Sequence, residues 1–264
     1  MAHRKLFKHL TRRDALAALG TLGVMSWVGS KTRLLQPARA AGGSVVVDGA
    51  CTLTPELTIG PYFVDEGLNR SDIRDGNGSD TPFIADALPL YLTINAASML
   101  TAGCPPLQGV QIDVWHCHAG GLYSDEQANG TLGQTWLRGY QVTDANGNVS
   151  FTTIYPGWYS GRTIHIHLMA RYYDSEGNTT YEFTTQLYFD DAISDIVLAN
   201  APYNTRGNRN TTNENDGIYD ASMLLDLQPI GDGSAGYTGS IALGLELEAT
   251  AGADQIFADG FEAA

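Results

Sequence analysis

Along most of this chain, short runs rich in Val, Ile, Tyr, Phe and Thr are broken about every ten residues by Gly, Asn, Asp and Thr. Runs that short cannot complete the several turns an amphipathic helix needs, but each is long enough for a strand with one face buried. The expected fold is therefore all-β: an antiparallel β-sandwich with long loops and at most short helices. Strands are expected at Leu90–Asn95, Gln111–His116, Thr163–Arg171, Phe183–Phe189 and Ser240–Leu247, with one short helix at Asp191–Ala199. Gly139–Thr143 and Val149–Ile154, flanking Asp144-Ala145-Asn146-Gly147-Asn148, read as a hairpin in which Asn-Gly supplies the positive φ of the turn.

The first forty residues read as an address. Paired arginines in Thr11-Arg12-Arg13-Asp14-Ala15-Leu16 precede an apolar run from Ala15 to Val28, and Ala38-Arg39-Ala40 fits a small-residue cleavage site. The run is shorter than the roughly 20 residues of a spanning helix. This pattern predicts a twin-arginine export signal over residues 1–40, a single domain over 41–250 and an acidic tail over 251–264. The mature protein would then be periplasmic or extracellular, with no membrane span.

Eight of the 15 Lys and Arg lie in that leader but only one of the 29 Asp and Glu, so the remainder carries seven cations against 28 carboxylates. Such a charge repels phosphate backbones and anionic membranes, which argues against nucleic acid as a partner. All seven remaining cations are arginine. Schiff-base chemistry and a phosphate-loop lysine are thereby excluded. The three cysteines, Cys51, Cys104 and Cys117, allow one disulfide in an exported protein and three possible pairings.

Four histidines beyond the leader form two His-X-His pairs, His116/His118 and His165/His167. In Thr163-Ile164-His165-Ile166-His167-Leu168 the alternation reads as a strand, so both imidazoles of the second pair face one spot. Tyr155-Pro156-Gly157-Trp158-Tyr159 and Gly120-Gly121-Leu122-Tyr123 set phenols on turns before it. Taken singly, each group has an ordinary reading: a hydrogen-bonded tyrosine, a generic zinc or core histidine pair, a surface arginine.

The run from Cys51-Thr52-Leu53-Thr54-Pro55 to Gly60-Pro61-Tyr62-Phe63, then Asp72-Ile73-Arg74, Val114-Trp115-His116-Cys117-His118-Ala119-Gly120-Gly121-Leu122-Tyr123-Ser124, Leu137-Arg138-Gly139, Pro156-Gly157-Trp158-Tyr159, His165-Ile166-His167 and Thr185-Gln186-Leu187-Tyr188-Phe189 together resemble the intradiol ring-cleavage dioxygenases, in their exported branch related to protocatechuate 3,4-dioxygenase. The resemblance covers most of residues 50–245. It implies a non-haem Fe(III) held by Tyr123, Tyr159, His165 and His167, with Tyr159 and His167 axial. Two phenolates are hard anionic donors that suit a ferric ion. It further implies catalytic roles for Arg162, Tyr159 and Gln186, a substrate-binding loop at Gly60, Pro61 and Tyr62, and a small aromatic diol and O2 as reactants.

His118 stands where that branch has an acid, and we assign His116 to structure or to hydrogen bonding behind the site. Two other readings are weighed against the enzyme: a non-catalytic β-sandwich binding module that keeps the fold, and a zinc hydrolase built on the His-X-His pair. The latter chemistry has no use for two tyrosines.

Overall fold

The computed structural model describes residues 52–249. The expected leader, Cys51 and the acidic tail lie outside the described residues. Eight strands, β1 (Pro89–Ser98), β2 (Gln111–Trp115), β3 (Arg138–Val142), β4 (Asn148–Ile154), β5 (His165–Tyr173), β6 (Thr179–Tyr188), β7 (Asp226–Pro229) and β8 (Tyr237–Leu245), form two four-stranded sheets ordered β4-β1-β8-β7 and β3-β2-β5-β6. Two short helices accompany them, α1 (Pro82–Ala85) and α2 (Asp191–Leu198). Among the described residues no helix is long and apolar enough to cross a membrane.

The five expected strands and the helix at 191–198 are present, within a few residues of the expected limits. In α2 the Asp190 carboxylate accepts from the amides of Ala192 and Ile193, satisfying two of the donors a helix start leaves unpaired. Alternation along β1 sends Leu90, Leu92, Ile94 and Ala96 inward, where they meet Ile112, Val114, Phe151, Ile166 and Leu168 in the inter-sheet core. Each such aliphatic side chain, fully removed from water, contributes on the order of 1.5–3 kcal/mol.

The all-β sandwich with only short helices is as expected, and two details differ. The segment at 139–154 is not a hairpin, because β3 and β4 belong to different sheets. The turn itself is real, with Gly147 at φ 75° and its amide donating to Asp144 O at 2.9 Å. What separates the two strands is the segment 68–73, which pairs with both of their edges. Tyr140 N donates to Leu68 O at 2.9 Å on one side, and Thr152 N to Ser71 O at 2.8 Å on the other. The sandwich is also not purely antiparallel: β1 and β8 pair in parallel over nine residues, from Leu90↔Tyr237 to Ser98↔Leu245.

Cys104 is disulfide-bonded, and Cys117 is a free, buried thiol. Pairings that use Cys117 therefore fall away. Cys117 Sγ donates to Gly157 O at 3.4 Å, and burial pushes the thiol up to about 12, so in this structure it is a protonated hydrogen-bond donor.

The sheet β3-β2-β5-β6 is covered on both faces. Ile166, Leu168 and Ala170 of β5 enter the inter-sheet core, while Met169 joins Trp115, Cys117 and Tyr123 in a second cluster roofed by Ile59, Tyr62, Phe63 and Tyr159. That second cluster surrounds His165 and His167.

Candidate metal centre and active site

His165 and His167 point to one side of β5, as their spacing requires, and the strand register sets their neighbours. His167 lies opposite Trp115 on β2 and Gln186 on β6, and His165 lies opposite Tyr188. The Trp115 indole stacks on the His167 ring at 5.0 Å and 4°. Both imidazoles are buried.

Two turns bring in the phenols. Tyr123 follows the Gly120-Gly121 turn, where Gly121 sits at φ 77° with a hypothetical Cβ only 2.1 Å from Trp158 O, so only glycine fits there. Tyr159 precedes the Gly161 turn, at φ 89°. The outcome is convergence: around His165 Nε2 stand Tyr159 Oη at 3.0 Å, His167 Nε2 at 3.1 Å and Tyr123 Oη at 3.4 Å. All four residues expected as ligands are thus in one cluster.

This cluster cannot satisfy itself with hydrogen bonds. A 2.7 Å contact to Thr163 O assigns the His165 proton to Nδ1, which leaves Nε2 with a single lone pair for three polar neighbours. His167 Nδ1 is buried and has no hydrogen-bond partner. Burial then holds both imidazoles neutral, His165 down at about 3 and His167 well below the ordinary histidine range, helped by the nearby Arg162 charge. Burial likewise pushes the phenols of Tyr123 and Tyr159 up. Two neutral imidazoles and two phenols with their donor atoms crowded together, and no other charge among them, are the shell a cation would complete by displacing the phenol protons. Two oxygens and two nitrogens of this type fit a hard ferric ion.

A strap running from Thr54 to Gly67 roofs the cluster. Leu57 N donates to Thr184 O at 2.9 Å, Gln186 Nε2 to Thr58 O at 2.8 Å, Arg138 Nη1 to Tyr62 O at 2.6 Å, and Arg171 Nη1 meets Asp65 Oδ2 at 2.6 Å. Gly60, at φ 72°, lies so close to the His167 ring that a Cβ would sit 2.9 Å from its Cε1. Tyr62 stacks on Tyr123 with centroids 4.3 Å apart. Pro61 is exposed at the strap's turn. The expected substrate loop therefore does border the cluster.

Arg162 precedes β5 rather than lying on it, so the parity of the strand does not turn it away from the histidines. Its Nε donates to Asp216 Oδ2 at 2.8 Å and its Nη2 to Gln186 Oε1 at 2.5 Å. Asp216 also accepts from Thr163 N and Ile218 N, both at 2.8 Å. This carboxylate was missed in the sequence: it closes the polar loop 203–217 onto the arginine, 54 positions away in the chain. Gln186 links Arg162 to the strap: its Oε1 accepts from Arg162 Nη2 and Tyr188 Oη, and its Nε2 donates to Thr58 O.

The other histidine pair is structural. His116 uses both ring nitrogens, on Cys117 O at 2.9 Å and Thr153 Oγ1 at 2.7 Å. His118 accepts from Gly120 N at 2.9 Å and lies between the rings of Phe83 and Trp136. Burial lowers both to about 4, against a usual histidine value of 6.5. A depressed folded-state value means the unfolded chain takes up protons first, so the stability these rings contribute is present above about pH 6.5 and is lost as pH falls towards 4. With His165 and His167 shifted the same way, metal-free protein should lose stability at up to about 1.4 kcal/mol per pH unit for each ring over that interval. Thermal melts between pH 7 and 4 would check this; a flat profile would contradict the buried neutral histidines.

A family model described as "Dioxygenase" matches residues 60–216. The catechol 1,2-dioxygenase of Candida albicans is 28% identical over 169 residues, and the match spans 53% of this chain and 53% of that protein, about half the length of the relative. An intradiol ring-cleavage dioxygenase from Tetranychus urticae superposes with a TM-score of 0.59 at 29% identity, covering 76% of this chain and 98% of its own. The dioxygenase domain of a dioxygenase carbohydrate-binding protein fusion from Streptomyces sp. SirexAA-E gives 0.53 at 29% identity, covering 75% and 100%.

Proposed function

Because this chain belongs to the intradiol ring-cleavage dioxygenase family, we propose that it cleaves a catechol ring between its two hydroxyl-bearing carbons, adding both atoms of O2 to give a muconate-type diacid. Tyr123, Tyr159, His165 and His167 would hold the family's non-haem Fe(III). The observation that carries this reading is the convergence of two buried phenols on two neutral imidazoles that have too few hydrogen-bond partners.

When bound, the ferric ion supplies the electron withdrawal that lets a catecholate ring react with O2. The chain's own groups do the remainder. Tyr159 is partly exposed whereas Tyr123 is buried, so the Tyr159 phenolate oxygen is the one placed to swing out and take a catechol proton. Arg162 presents a guanidinium held from two sides, fixed where negative charge develops on the ring as it loses aromaticity. Ile59, Tyr62 and Phe63 in the strap keep water from the cluster.

Tyr159→Phe should accordingly keep iron better than Tyr123→Phe while slowing catechol binding, as read by metal analysis and stopped-flow spectra. Equal metal loss with unchanged binding rates would mean the two tyrosines are assigned the wrong way round.

The direct test is oxygen uptake by iron-loaded protein across a panel of catechols, with 18O2 incorporation into the product. Two labelled oxygens in a ring-opened diacid support the proposal. A colourless protein that binds catechols without consuming oxygen would leave the non-catalytic module instead. We also propose that the protein works outside the cytoplasm. The twin-arginine pattern of residues 11–16 and the bonded state of Cys104 support this, and the N-terminal sequence of secreted material would test it.

A further inference from the structure

The described residues contain no lysine and seven arginines, against 24 carboxylates. Where each of those seven charges goes decides which ring substituents the site can accept. Arg74 pairs with Asp72, Arg171 with Asp65 and Asp113, and Arg209 with Asp191 and Asp195. Arg70 and Arg138 have no carboxylate partner, but every nitrogen of both guanidiniums already donates to a backbone carbonyl or a hydroxyl. Arg162, beside the histidines, has its charge balanced by Asp216 at 2.8 Å. Only Arg206 is left, exposed over the Trp158 ring with one nitrogen on Gly120 O.

The surroundings add negative charge. The ring of Tyr188, opposite His165 in the β5–β6 pairing, packs edge-on to Tyr219 at 5.0 Å. Burial, and then the charges of Asp191, Asp220 and Asp190, raise the Tyr219 phenol. Asp191 and Asp216 are paired with arginines, but among the described residues Asp190 and Asp220 form no ion pair, so that side of the site keeps a net negative charge.

We propose that the site takes catechols whose substituents are neutral or cationic and rejects those carrying a carboxylate, because Arg162, the cation beside the histidines, is already paired, the unpaired Arg206 is exposed and laid on the Trp158 ring, and the Tyr219 side is acidic. The proposal rests on the ring-cleavage reading above. A carboxylate brought into this site loses its water without gaining a partner, a penalty of several kcal/mol for a buried ion. A cation or a neutral group meets no such cost.

The test uses three substrates of matched size with the iron-loaded full chain: 3,4-dihydroxybenzamide, 3,4-dihydroxybenzoate and 3,4-dihydroxybenzylamine. The amide and the ionised acid match in size and shape, so their binding in the absence of O2 compares charge, apart from the amide's stronger electron withdrawal in turnover. We expect kcat/KM from oxygen uptake to favour the amide over the acid by about 100-fold or more, and anaerobic calorimetry to give the same order of preference in binding. Raising salt from 0.1 to 1 M shortens the screening length from about 10 to 3 Å, so it should raise kcat/KM for the acid and lower it for the amine. Arg206→Gln should leave the amide-to-acid ratio unchanged. Equal or better binding and turnover of the benzoate would overturn the proposal while leaving the dioxygenase reading intact, as would a benzoate rate that collapses only in Arg206→Gln. Absence of oxygen uptake with all three would overturn the dioxygenase reading itself, and this proposal with it.

Discussion

Replacing Arg162 by leucine is expected to leave iron content and colour intact while lowering turnover of catechol by about 10²–10³-fold, the cost of deleting one preorganised electrostatic donor. The guanidinium touches none of the four expected ligands through a hydrogen bond; its contacts are to Asp216 and Gln186. Yet its charge lowers both His165 and His167 and pulls down the phenols of Tyr123 and Tyr159, so it stands within electrostatic reach of the reacting ring. A fixed cation there acts on charge that appears only as the ring reacts, and so affects kcat more than binding. Asp216→Asn should reproduce part of the loss, since it removes the anchor that holds the guanidinium in place. Oxygen uptake near the wild-type rate in Arg162→Leu would place this residue outside the chemistry.

The Tyr123→Phe, His165→Ala double variant is expected to lose its iron altogether. It deletes one hard anionic donor and the imidazole at the centre of the cluster. Removing a mere hydrogen-bond partner of a metal ligand weakens binding by about 10–100-fold, and removing two ligands must cost more than that. Both side chains lie in the cluster on the side of the sheet turned away from the inter-sheet core, so metal-free double variant and metal-free parent should melt within a few degrees of each other. Metal analysis and the visible spectrum read the first outcome, and calorimetry the second. Full iron content in the double variant would refute the ligand assignment.

The shared face of His165 and His167 was legible in the sequence because strand alternation is local: two histidines two apart must point the same way, whereas Tyr123 and Tyr159 were added only by the family resemblance. Strand positions were legible for the same reason. The partners of strands were not. Asn146-Gly147 announces a turn correctly but carries no information about which edge each flanking strand will join, and residues 68–73 occupy both edges. The parallel β1–β8 pair joins segments more than a hundred residues apart, and no local pattern encodes it. Asp216 was hidden in a loop rich in Asn and Thr, where Glu214 had an equal claim to Arg162. The strap was read as a substrate loop but not as a roof, because much of its attachment is through backbone atoms that residue identity does not specify.

That roof has a consequence for how ions and substrates come and go. Most of the strap lies outside the sheets, and its tethers over the cluster are a few hydrogen bonds, the Asp65–Arg171 ion pair and the packing of Ile59, Tyr62 and Phe63. Lifting it breaks those contacts and no strand pairing, so it is a sub-global opening that costs less than unfolding. The residence time of an ion held by the four residues would then be governed by a different part of the chain from the one that sets the melting temperature. Changes at Gly60, Arg138 or Asp65 would alter how long an ion stays, and changes in the inter-sheet core would alter when the protein melts.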